Sequence, residues 1–226
     1  MDMQERNETH DQDMASGSEA EIARILAVYI TDKHIGLACY DELTNSLRAD
    51  GFDTSAQDVE AMLTSVKMVC QPTLILVHPR IVVNTPMLEL VTCGWDGVPD
   101  NYPYQALKSS HWNLDTALEL MCTKLSVRNS TALSRAEDIE SLSYQDNYLR
   151  LSTDFDMNNQ CMLQSVGALL HFMRTYIFYL DNGKVTVNSV QGFTLTSYLR
   201  MDPGTSQSLQ IFATDRHPNV LKGVCV

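Results

Sequence analysis

The chain lacks the cysteine spacing of a zinc site. Its six cysteines (Cys39, Cys70, Cys93, Cys122, Cys161 and Cys225) stand far apart, with no C-x-x-C pair. A chain of 226 residues does not need disulfides to fold. Reduced cysteines used as small apolar residues are therefore expected, as in cytosol or nucleus. Basic residues are also scarce: 16 Lys and Arg against 28 Asp and Glu give a formal net charge of −12. They are scattered, and the nearest approach to a basic cluster is Arg128 and Arg135 around a polar loop. Tyr102, Tyr104 and Trp112 are interleaved with few of them, so a single-strand stacking groove is not expected and these aromatics are assigned to the core. No basic segment followed by an apolar stretch opens the chain, which argues against a secretory signal. The most apolar run, Cys161–Leu180, carries Gln164, His171 and Arg174 and reads as a buried helix rather than a membrane span.

The common catalytic signatures are missing too. Gly183-Lys184 is followed by Val185, so the phosphate-loop pattern fails. The six histidines show no H-x-x-x-H or H-E-x-x-H spacing, and His171 on an apolar helix is read as a hydrogen-bonded packing residue. No G-x-S-x-G elbow occurs. A nuclease using paired divalent metals needs carboxylates converging from its central strands, and Ile25–Ile30 contains none. Asp41 and Glu42 follow a second apolar run, where a hairpin edge is the ordinary explanation. The expectation is a chain with no catalytic, cofactor-binding or metal-binding residues, no activity of its own, and DNA-contact residues that cannot be named.

What is present is an ordered α/β pattern behind an acidic opening. Seven acidic residues against Arg6 alone give residues 1–21 a net charge of −6, and this segment reads as a disordered acidic tail. Such a tail repels phosphate, so weak DNA binding by the module itself is expected. Ile25–Ile30 and Ile35–Tyr40, joined by Thr31-Asp32-Lys33-His34, predict an antiparallel hairpin. A short third strand is expected near Ser46–Ala49, broken by Asp50-Gly51. Capping boxes at Thr54 and Ser55 precede Val59, Met62, Leu63, Val66 and Val69 at helical spacing, and Pro72 ends that helix. Thr73–Val77 has the continuous apolar character of a buried parallel strand. Short elements are expected near Thr85–Val91 and Tyr104–Lys108. A helix capped by Asn113 or Asp115 follows, with Leu114, Ala117, Leu118, Met121 and Leu125 on one face. Residues 126–135 read as a loop and 136–151 as a less periodic helix. The helix over about 158–178 has a long apolar stripe, and Gly167-Ala168 invites close approach of another backbone. Asp181-Asn182-Gly183 closes it as a left-handed cap. Strand, strand, strand, helix, strand describes the ribonuclease-H-like fold as well as other α/β domains.

The end of the chain carries a resemblance. Phe193, Leu195, Leu199 and Met201 alternate as a half-buried strand. Asp202-Pro203-Gly204 turns the chain, and Thr205, Leu209, Ile211 and Phe212 begin a helix. Tyr198, Leu199, Met201, Asp202, Thr205, Leu209 and Ile211 together resemble the junction between connector and core domains in the MutS family. Leu209–Phe212 with His217-Pro218 is most similar to the meiotic, fifth-homologue branch of that family. Leu163–Met173 resembles the small-residue-rich helix that closes the connector.

The resemblance implies a ribonuclease-H-like connector over 22–180, a mixed sheet flanked by helices, followed at 181–226 by the start of a truncated MutS core. It also implies that the complete protein is a nuclear, ATP- and Mg-dependent clamp on branched or mismatched DNA, acting in mismatch repair or meiotic crossover. Its partners would be a subunit of the fourth MutS homologue type and MutL-type proteins, with no membrane. No Phe-x-Glu mismatch wedge occurs, which fits the meiotic branch. Cut short, the terminal strand would expose Phe193, Leu195 and Leu199. Two other readings stand beside this one. The first is a stand-alone ribonuclease-H-like nuclease or resolvase, with Asp41 as the carboxylate to mutate. The second is a free interaction adaptor.

Overall fold

The computed structural model describes residues 24–53, 59–94, 101–128, 143–177 and 184–193. Expectations for the acidic tail, the Asp181-Asn182-Gly183 cap and the segment from Leu195 onward fall outside those residues. Eight strands are found among the described residues: β1 Arg24–Ile30, β2 His34–Asp41, β3 Ser46–Asp53, β4 Leu74–Val77, β5 Tyr104–Ala106, β6 Leu125–Val127, β7 Val185–Val187 and β8 Ser189–Gln191. The helices are α1 Val59–Cys70, α2 Pro79–Val83, α3 Thr85–Thr92, α4 Leu114–Lys124, α5 Tyr144–Leu151 and α6 Gln160–Phe172. A 3-10 turn covers Ser109–Trp112, and α6 continues as a π-helical turn over Met173–Ile177.

Six strands form one mixed sheet in the order β5-β4-β1-β2-β3-β8. β1–β4, β4–β5 and β3–β8 pair in parallel, and β2 runs against both β1 and β3. The alternation along β1 explains the layering, because successive side chains in a strand leave by opposite faces. Ile25 and Ala27 join the core under α4 and α6, with Leu76, Leu163, Val166 and Leu170. Leu26 and Val28 join the opposite core with Leu63 and Val66 of α1, Ile81 of α2 and Val91 of α3. Burial on both faces is why the central strands read as continuous apolar runs rather than alternating ones.

Backbone proximity sets where α6 lies. Gly36 and Gly51 are register partners on β2 and β3. A Cβ on Gly36 would fall 1.9 Å from the Cys161 carbonyl oxygen, and one on Gly51 would fall 2.1 Å from the Asn159 side chain. The first turn of α6 therefore rests directly on the sheet, capped by Asn159 Oδ1, which accepts from the Met162 amide at 3.1 Å. On its other side Gly167 meets α4, as the sequence anticipated: an added Cβ would be 2.3 Å from Ala117 Cβ.

The third strand is longer than expected and passes through Asp50-Gly51 without breaking, since Leu37 and Gly36 pair with those two residues. Tertiary pairing has overridden a local turn signal there. Asn113 is the α4 cap, its Oδ1 accepting from the amides of Asp115 and Thr116. Trp112 is buried as expected, Tyr102 packs partly against the second core, and Tyr104 is 45% exposed on β5. Phe193 corrects the expectation of an uncovered terminal strand at that position: it is 6% exposed within the second core. β8, just before it, extends the main sheet by pairing with β3. Among the described residues Cys39, Cys70, Cys93, Cys122 and Cys161 are free thiols, and no helix is long and apolar enough to cross a membrane.

Candidate functional site

In open α/β sheets, ligand sites form beyond the carboxyl ends of parallel strands, where the strand order changes direction. Here that place is the end of β1 and β4, because β1 has a parallel neighbour on one side and an antiparallel one on the other. The last register pair is Val28 with Val77, and the next residues are Tyr29 and His78. Their rings meet edge to face at 5.4 Å between centroids. Trp112, brought in by the 3-10 turn, stacks on Tyr29 at 5.5 Å and crosses His78 at 5.8 Å. Its carbonyl accepts from Gln164 Nε2 of α6 at 2.8 Å, which fixes the turn against that helix.

His78 also caps α2, since its Nδ1 accepts the Arg80 amide at 3.1 Å. Accepting through Nδ1 requires the neutral ring to carry its proton on Nε2. Burial, followed by the charge of Arg80, pushes the His78 pKa down and favours that neutral form.

One residue before Trp112, His111 meets His171 of α6 edge to face, with ring centroids 3.6 Å apart. Arg174, three residues further along the helix, lies close enough to act electrostatically on His171. Burial lowers the pKa of both imidazoles. Lys108 adds to the effect on His111, and His111 and Arg174 add to it on His171. Three buried polar atoms in this region have no hydrogen-bond partner: His111 Nδ1, Trp112 Nε1 and Arg174 Nε. His171 was read from sequence as a hydrogen-bonded packing residue. It packs, but against a second imidazole brought from a distant segment.

Asp41 lies elsewhere. It is the register partner of Arg24, at the opposite end of β1. Its carboxylate pairs with the Arg24 guanidinium at 3.6 Å and accepts the Leu43 amide at 3.0 Å. That is the hairpin-edge role expected of it, remote from the His78 edge. Arg128 is described and exposed, whereas Arg135 lies outside the described residues.

A metal-dependent nuclease of this fold class would hold divalent ions at the edge where β1 and β4 end. The residues there do not fit such ions. Hard divalent cations take oxygen ligands, but His78, His111 and His171 stand here beside Arg80, Lys108 and Arg174, and the carboxylate that β3 brings to the same end of the sheet, Asp53, is paired with His34 at 2.5 Å. Among the described residues no group of three His, Cys, Asp or Glu could hold a metal ion.

The strand order β3-β2-β1-β4-β5, with β2 alone reversed, and helices on both faces define a ribonuclease-H-like α/β fold. No family model and no curated protein matches the chain. Solved structures that do match include a Fowlpox virus resolvase with its Holliday junction substrate, at 11% identity and a TM-score of 0.40, covering 69% of this chain and 99% of that one. Thermus thermophilus RuvC matches in complex with a Holliday junction substrate, at 12% identity and 0.35, covering 68% and 96%. RuvC without substrate matches at 11% and 0.34, covering 68% and 97%.

The MutS assignment is withdrawn. No sequence comparison supports it, and the structural neighbours are Holliday junction resolvases. The start of a MutS core, the mismatch-repair and crossover roles, and the heterodimeric clamp that rested on the assignment are withdrawn with it. The expectation of a chain without activity of its own is withdrawn as well.

The sequence reading missed Tyr29, His78, His111 and Arg174 as site residues. A signal existed for His78: a polar residue directly after the buried apolar run Thr73–Val77, at a strand's carboxyl end. For His111 there was none, because its partner lies on another element far along the chain.

Proposed function

We propose that the chain is a nuclease domain of the ribonuclease-H-like class, acting on the phosphodiester backbone of nucleic acid at the edge where β1 and β4 end. Four-way-junction DNA is the first substrate to test. The observation that supports this is the convergence of His111, His171 and Arg174 with partnerless buried polar atoms beside that edge.

The chemistry asks little of the protein. A neutral imidazole accepts a proton from water as the water oxygen bonds to phosphorus, and the P–O3′ bond breaks. The departing O3′ takes a proton from solvent water, and a guanidinium offsets charge on the non-bridging oxygens. Of the two imidazoles, His171 suits the base role, because His111 Nδ1 is buried. Tyr29, Trp112 and His78 act as positioning residues, holding the 3-10 turn that carries His111.

The test incubates the full chain with labelled four-way-junction, duplex and single-stranded DNA, with Mg²⁺, Mn²⁺ or a chelator. Cleavage that survives the chelator and is lost in His171→Ala is the expected result. Intact substrate under every condition would overturn the proposal. Cleavage lost in Asp41→Asn but kept in His171→Ala would also overturn it.

A further inference from the structure

Two features of the His111–His171 contact are unlike ordinary core packing. Buried polar atoms are usually hydrogen-bonded, yet on the half-buried His111 the buried Nδ1 has no partner, and neither does the buried Nε of half-buried Arg174. Each orphaned group of this kind costs stability when nothing meets it. The helix that carries two of the three groups also changes form beside them. α6 gives way to a π-helical turn at Met173, where the last turn is held by Thr175 Oγ1 donating to the His171 carbonyl at 2.9 Å. Such turns are rare and are frequently found at functional sites.

The charges around these groups select the sign of a ligand. Arg174 and Lys108 act on the two rings and make no ion pair with a carboxylate among the described residues. A cation is disfavoured there. An oxyanion would accept hydrogen bonds from the guanidinium and from imidazole N–H groups.

We infer that His111, His171 and Arg174 form a seat for a tetrahedral phosphate oxyanion, free or carried by a nucleic-acid backbone. This deepens the nuclease reading and rests on it only for the owner of the phosphate. Binding satisfies donors that the unliganded fold leaves alone. The groups facing the seat are Lys108 from before the 3-10 turn, His111 on it, and His171 and Arg174 on α6 and its continuation.

The measurement follows the imidazole C2–H resonances of the full chain by NMR at fixed pH and ionic strength. Inorganic phosphate is exchanged for chloride in one arm, and a short single-stranded oligonucleotide is added in the other. His111→Asn and His171→Asn assign the signals. Saturable movement of both resonances in either arm, with Arg174→Gln weakening the effect about tenfold, is expected of one lost charge-assisted hydrogen bond. Movement with phosphate identifies a seat open to the free ion, and movement with the oligonucleotide alone identifies a backbone phosphate. Resonances indifferent to both additions in the wild-type chain overturn the seat, whatever the variants do. DNA cleavage without that movement would keep the nuclease reading and remove the seat. Movement without cleavage would keep the seat and remove the nuclease.

Discussion

Gly167 and Ala117 bring α6 and α4 together so closely that a Cβ on the glycine would lie 2.3 Å from the alanine Cβ and 2.7 Å from its Cα. No side chain separates the two helices at that point, and the 3-10 turn that precedes α4 is carried in with them. Gly167→Ala is expected to destabilise the fold by about 1–3 kcal/mol through overpacking, read from the urea midpoint. Adding Ala117→Gly should recover part of that loss despite its own helix-propensity cost of about 1 kcal/mol. A double variant whose losses simply add would mean that the contact is not tight.

Lys67 is 3% exposed, and its ammonium donates to the carbonyls of Leu90 at 3.0 Å and Cys93 at 2.5 Å. It closes the C-terminal end of α3 from within α1, and burial lowers its pKa. Lys67→Met leaves two carbonyls unpaired while relieving a buried charge, so a net loss of about 2 kcal/mol is expected. The loss should be accompanied by faster amide exchange along α3. Unchanged exchange there would show that the lysine does not hold that helix.

His78, His111 and His171 all have folded-state pKa values lowered chiefly by burial. Between those values and the ordinary imidazole value of about 6.5, the unfolded chain binds more protons than the folded one. Their contribution to stability is therefore complete above about pH 6.5 and is lost as the pH falls through the folded values. The thermal midpoint should drop on acidification below that point, and the combined His111→Asn and His171→Asn variant should show a shallower drop. Equal slopes in the two proteins would remove the pair from the acid response.

Asp41→Asn tests a negative. The Arg24–Asp41 pair is partly solvent-exposed at 3.6 Å, and pairs of that kind contribute about 0–1 kcal/mol. Asparagine can still accept the Leu43 amide. Stability should change by no more than about 1 kcal/mol, and any DNA cleavage by the chain should keep its rate.

Local rules carried much of the fold. Asn113 capped α4, the apolar stripe of Met162, Val166, Leu169 and Leu170 became buried α6, and Thr73–Val77 supplied the buried parallel strand. Those signals are periodic or sit within one turn of the residue they act on. Asp50-Gly51 misled because cross-strand pairing with Leu37 and Gly36 outweighed a turn preference. The resemblance drawn from 193–212 is not supported by any family model or curated protein.

The amino-acid sequence by itself determined that an apolar, mixed α/β sheet would form, because strand and helix periodicities are written in consecutive residues. Only the tertiary structure decided that His111 would meet His171, and that Tyr29, His78 and Trp112 would share one edge. Those contacts join four separate elements, and nothing in the spacing of their residues encodes the parallel pairing of β1 with β4 or the seating of α6 on Gly36 and Gly51.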